Sequence, residues 1–100
     1  MTAFVHWYPL QSADCVPEEP GVYQIRVRSG LLEYPTGKSA MVNYGAADNL
    51  RAAVAEQAER ADAHVFLCRH KVVSDPEQSL NELTQRFAKR FGQIPSWQPS

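Results

Sequence analysis

Two rhythms of apolar and polar residues run along this chain. Over residues 21–28 the period is two: Tyr23, Ile25 and Val27 fall on one side, Gln24, Arg26 and Arg28 on the other, and Val22 opens the run. That alternation predicts a strand with one apolar and one polar face. Residues 40–44 predict a second strand, antiparallel to the first, because the connection is too short and irregular for a helical crossover. Residues 64–73, from His64 to Val73, predict a third.

The helical rhythm takes over twice. Asp48 and Asn49 are N-cap candidates for a helix over about residues 49–61, with Leu50, Val54, Ala58 and Ala61 on one stripe. The second helix has the strongest periodicity: Leu80, Leu83, Phe87 and Phe91 follow steps of three, four and four, and Gly92 ends it. Its start reads as a capping box in which Ser74 caps, Pro76 sits in the first turn and Glu77 reaches back.

The remaining segments are connections. Residues 1–8 carry Phe4, Val5, Trp7 and Tyr8 and read as a short edge strand or an extended arm, stopped by Pro9. Residues 9–20, with Pro9, Pro17 and Pro20, form a loop. Ser29-Gly30 begins a turn, and residues 33–38 make a second turn or a long hairpin loop. Trp97 in the tail is expected to fold back on the body. The order is β-β-α-β-α, an α+β fold with a small three-stranded antiparallel sheet flanked by helices. Residues 1–20 are an N-terminal arm and loop, and residues 21–98 the domain.

Composition narrows the class without naming a function. One hundred residues, 44% of them hydrophobic and 21% charged, suffice for one modest core and are unlike a disordered chain. A net charge of −1 gives the whole chain no electrostatic signature of nucleic-acid binding and leaves only local patches to consider. Cys15 and Cys68 are the only cysteines, too few for a disulfide framework or a zinc site, and both are expected as thiols. No stretch approaches the ~18 apolar residues of a membrane span, and the N-terminus lacks a signal-peptide pattern. The expectation is a cytoplasmic, soluble protein without a membrane partner.

The corners of this pattern carry a family resemblance. Gly21-Val22-Tyr23 opens the first strand, and Asn43-Tyr44-Gly45 closes the second just before Gly45-Ala46-Ala47-Asp48-Asn49-Leu50-Arg51 enters the helix. With the closing Gly92-Gln93-Ile94-Pro95-Ser96-Trp97-Gln98, this arrangement resembles the GIY-YIG endonuclease superfamily over about residues 17–98. The resemblance implies that family's fold and points to phosphodiester hydrolysis. In that chemistry a tyrosine attacks phosphorus or positions the attacking water, an arginine stabilises charge, and a glutamate holds one divalent cation.

Carried onto this chain, the resemblance keeps Tyr23 as the first tyrosine. The second belongs two residues before Gly45, where Asn43 stands; Tyr44 is one position off, and one residue along a strand reverses the side chain's face. The arginine position falls on Ala53, with Arg51 two residues away and ~200° around the helix, and Gln57 stands where many members place a histidine. Glu77 has the spacing for the metal ligand but lies in the first helical turn. The implied function is a degenerate GIY-YIG nuclease-like domain without standard nuclease activity, acting as a nucleic-acid-associated or protein-binding module. One alternative is an active endonuclease using Tyr23, Tyr44, Arg51 and Glu77 in displaced positions with Mg2+ or another divalent cation. The other is a homodimeric interaction protein that uses only the scaffold.

Other signals are weighed on their own chemistry. Gly37-Lys38-Ser39 is not a phosphate loop, since a strand follows where a helix is needed. His64 and His70 lie on one face of the third strand, and Cys68 shares that face with His70; neither pair has the further groups that a metal site or a nucleophile system requires. Arg86, Lys89 and Arg90 cluster at i, i+3 and i+4, with Arg69 and Lys71 on the preceding strand. They form either a solvated helix face or a patch that contacts DNA or RNA phosphates. Trp7, Tyr8 and Trp97 are candidates for an apolar patch joining two copies or a protein partner.

Overall fold

The computed structural model describes residues 3–60 and 66–95. The alternating segment forms strand β2 (Gly21–Val27), which lies inside the main sheet. Strand β5 (Met41–Ala47) pairs antiparallel on one side of it and strand β6 (Phe66–Val72) antiparallel on the other. Helix α1 (Leu50–Arg60) covers one face of this sheet and helix α2 (Pro76–Phe91) packs on the other, giving an α+β domain of three layers.

The sheet has four strands, not three. Strand β1 (Tyr8–Pro9) pairs antiparallel with β6, Tyr8 facing Cys68 and Pro9 facing Leu67. The arm continues the contact outward, the Val5 amide donating to the His70 carbonyl at 3.1 Å. Pro9 is tolerated because an edge strand does not need every amide, and the arm covers an edge that β6 would otherwise leave open. A second small sheet lies within the predicted turn region: β3 (Leu32–Tyr34) and β4 (Gly37–Ser39) form a hairpin around Pro35-Thr36, with Glu33 opposite Lys38.

The core sits between the sheet and α1. Tyr23, Ile25 and Cys68 meet Leu50 and Val54 of the predicted α1 stripe, and the cluster also takes in Val42 of β5 and Leu10 and Val16 from the N-terminal segment. Six of these (Ile25, Cys68, Leu50, Val54, Leu10 and Val16) are fully buried, which at ~25 cal/mol per Å2 makes this layer the main source of stability. The α1 N-terminus is held from two directions. Asn49 Oδ1 accepts from the Ala52 amide at 3.1 Å, while the Leu50 and Arg51 amides donate to the carbonyls of Glu19 and Pro17. Ala61, Asp62, His64, Val65 and Trp97 lie outside the described residues.

Helix α2 packs its predicted stripe on the opposite face. Phe87 is buried and meets Tyr34, Tyr44 and Phe91 at ring separations of 4.9, 5.8 and 4.5 Å. Its N-cap is Asp75, one residue later than Ser74: Asp75 Oδ1 accepts from the Gln78 amide at 3.2 Å and Pro76 takes the first helical position. At the C-terminus Gly92 adopts φ 87°, a left-handed conformation glycine takes without penalty, and donates to the Ala88 carbonyl. The Pro35-Thr36 turn finishes the cap. The Thr36 amide donates to Phe91 O at 3.1 Å, and its hydroxyl to Arg90 O at 2.7 Å. Among the described residues no helix is long and apolar enough to cross a membrane.

Candidate functional site

Directly paired residues of an antiparallel sheet share a face, so the register assigns every strand side chain to one helix layer or the other. Tyr23 faces Gly45 and His70 across its two neighbours and points toward α1, where it is buried. Tyr44 faces Gln24 and points the other way, its ring at 85° to Phe87 of α2. The one irregularity of the β2–β5 pair falls between Ile25 and Arg26, beyond Tyr44, so no bulge restores the second tyrosine to the first one's face. Burial raises the Tyr44 phenol above its ordinary range, against the pull of nearby Arg69.

The other residues implied by the resemblance are also apart. Arg51 lies at the start of α1, its Nε donating to Val16 O at 2.7 Å and its Nη1 paired with Glu18 at 2.9 Å. These bonds tie the loop before β2 to the helix. Glu77 is exposed in the first turn of α2 and lines an open groove of about 640 Å3 with Ala46, Asp48, Asp75 and Leu80. Asn43 lies opposite Ile25 on Tyr23's face, and Ala53 packs against the core. Among the described residues no three His, Cys, Asp or Glu side chains come together to hold a metal ion. Glu77, the one carboxylate that the resemblance implies as a metal ligand, lies on the α2 side of the sheet, apart from Tyr23.

The five predicted cations fall into two separate groups. Arg86, Lys89 and Arg90 are exposed along α2, the last over the Phe91 ring at 5.3 Å and near the helix C-terminus, where positive charge is favoured. Arg69 and Lys71 lie on the sheet, on the face that α2 partly covers, and no ion pair or hydrogen bond links them to the helix group.

The sheet group is larger than the sequence suggested. Arg26 of β2 joins it, and two aromatic residues of the N-terminal arm interleave with the charges. Trp7 lies under both Arg26 Cζ, at 4.4 Å, and Arg69 Cζ, at 4.6 Å. Phe4 lies under Arg69 Cζ, at 4.6 Å, and under Lys71 Nζ, at 5.0 Å. The order along the face is Arg26, Trp7, Arg69, Phe4, Lys71. Each contact supplies ~0.5–2 kcal/mol, more as the pair is desolvated. Arg69 Nε also donates to the buried Gln24 Oε1 at 2.7 Å, fixing the guanidinium in the middle of the row. Burial lowers the Arg69 pKa while Tyr44 raises it and Arg26 lowers it further, so like charges are held close here. The polar side of β2 was legible in the sequence; which cations it meets depends on the β2–β6 register.

The opposite face holds a quieter polar pair. Tyr8 hydroxyl and His70 Nδ1 are 2.8 Å apart and His70 is 8% exposed. Burial lowers the His70 pKa, favouring a neutral ring whose Nδ1 accepts the tyrosine proton. Cys68 shares this face but is fully buried, and burial pushes its thiol up to about 12, far from a nucleophile's range. Trp7 and Tyr8 thus pack on different faces of the domain and do not form a shared apolar patch with each other. In comparisons with models of known protein families and with curated proteins, the chain matches none.

Proposed function

We propose that this chain is a GIY-YIG-like domain that does not carry out the family's phosphodiester hydrolysis and serves instead as a nucleic-acid-associated binding module. The observation that carries the reading is the separation of Tyr23 from Tyr44 and Glu77 by the thickness of the sheet. Attack on phosphorus needs its nucleophile, charge-stabilising arginine and metal around one reacting atom. Here Tyr23 is buried in the core layer, and Arg51 is engaged by Val16 and Glu18. Glu77 lies on the other side. The interior position of the Gly-Val-Tyr strand, with Gly45 directly opposite Tyr23, supports the family resemblance.

The binding half of the proposal rests on cations without acidic partners. The ion pairs among the described residues are Glu33–Lys38 and Glu18–Arg51, which leaves Arg26, Arg69, Lys71, Arg86, Lys89 and Arg90 free of salt bridges. Phosphate contacts made by such groups give sequence-independent, salt-sensitive binding. The test is a plasmid incubation with Mg2+ or Mn2+ beside a salt titration of DNA and RNA binding. Binding that weakens with salt, without nicking, is the expected result. Metal-dependent nicking abolished by Tyr23→Phe would overturn the proposal in favour of the enzyme, and absence of both activities with a stable dimer on sizing would favour an interaction protein.

A further inference from the structure

We propose that the row Arg26, Trp7, Arg69, Phe4 and Lys71 is a binding site for the phosphodiester backbone of single-stranded nucleic acid. The inference rests on the nucleic-acid reading above and assigns it to a place: the sheet face beside the N-terminal arm, not the basic side of α2.

Three positive side chains share this face, and among the described residues no carboxylate is paired to any of them. Their mutual repulsion is a standing cost that a bound anion would relieve. Arg26 Nε is buried and has no hydrogen-bond partner among the described residues, so this guanidinium is left short of an acceptor. The two rings hold the guanidinium planes in place, and their interleaving with the charges puts cations at successive positions along a line, as a polyanionic strand requires.

The burial of the site selects the partner's shape. All five side chains are half-buried: Arg26, Arg69 and Lys71 lie on the sheet against the arm's own Trp7 and Phe4, on the face where α2 packs on β5 and β2. A duplex is a broad, stiff cylinder that meets half-buried cations poorly, whereas a flexible single strand can follow them along the sheet. The cations of α2, exposed along the helix, lack this selectivity.

The test is fluorescence anisotropy of labelled oligothymidylate over a range of salt concentrations, with Arg26→Gln, Arg69→Gln and Lys71→Gln compared against Arg86→Gln, Lys89→Gln and Arg90→Gln. Each sheet variant is expected to weaken binding several-fold and to reduce the log–log salt slope by ~0.7 per charge removed. The helix variants should leave both nearly unchanged. A second readout does not depend on Arg69→Gln remaining folded. In a Trp97→Phe background Trp7 is the sole indole, and its emission should change on titration with the oligonucleotide. If the helix variants abolish binding and the sheet variants do not, the site assignment is overturned while the nucleic-acid reading stands. If the unmodified protein binds no oligonucleotide, both are overturned. Equal affinity for a duplex through the same residues would overturn the single-strand assignment.

Discussion

Tyr23 stacks its ring directly against Gly45 across the β2–β5 pair. A Cβ built on Gly45 falls inside the van der Waals envelope of the Tyr23 Cζ and hydroxyl, so the glycine is where the tyrosine lies. Gly45→Ala therefore forces a core side chain that is 6% exposed out of its position. The expected cost is ~1–3 kcal/mol, a fall in Tm of ~4–8 °C for each kcal/mol. In a double-mutant cycle Tyr23→Leu should relieve part of that cost, because the clash involves the outer ring atoms that leucine lacks. Thermal melts of the four proteins give the coupling; strict additivity would show that the Gly45 constraint is not Tyr23.

The two cysteines should separate cleanly by reactivity. Cys15 is exposed, whereas Cys68 is fully buried between β1 and β2 with its thiol pushed up to about 12. A chromogenic disulfide reagent at neutral pH is expected to titrate one thiol rapidly in the native protein and the second only after denaturant is added. Cys15→Ser should remove the fast phase alone. Two fast equivalents in native buffer would contradict the burial of Cys68.

The caps of α2 distinguish two neighbours that sequence rules treat alike. Asp75→Ala removes the acceptor for the Gln78 amide and should cost ~1 kcal/mol, while Ser74→Ala should cost close to nothing. At the other end Thr36→Val deletes the hydroxyl bond to Arg90 O and leaves the amide bond to Phe91 O, an expected loss of ~0.5–1 kcal/mol at this exposed site. Denaturant midpoints at constant m-value measure all three.

These residues also show which parts of the fold local pattern can carry. The strand at residues 21–28 and both helices were legible because their apolar periods of two and 3.6 persist over several residues and match what they bury. The opposite orientations of Tyr23 and Tyr44 followed from counting back from Gly45. Strand β1 was harder because two residues have no period, and Tyr8–Pro9 becomes a strand only through the edge that β6 offers. The β3–β4 hairpin hid behind Pro35 and Gly37, and its purpose, capping α2 across 54 residues of chain, is a tertiary relation. Ser74 and Asp75 both satisfy the N-cap preference; Pro76, preorganised for the first helical position, settles it in favour of Asp75. The cationic row was the least legible part. Arg26, Arg69 and Trp7 come from three segments, and only the strand register and the path of the arm bring them together.

Acid should destabilise the fold through His70. The ring is 8% exposed, and burial lowers its pKa below the ordinary 6.5. Between the two values the unfolded chain binds a proton that the native state does not, so the sign of the linkage makes stability rise with pH across that window. The neutral-ring contribution is fully present above pH 6.5 and is lost as pH falls from there through the folded value, at no more than ~1.4 kcal/mol per pH unit. Urea midpoints measured from neutral pH downward should therefore begin to fall just below 6.5. His70→Asn keeps a polar group near the Tyr8 hydroxyl without titrating, and should lower stability at neutral pH yet flatten its decline with acid. An identical pH profile in the variant would move the acid sensitivity to another group.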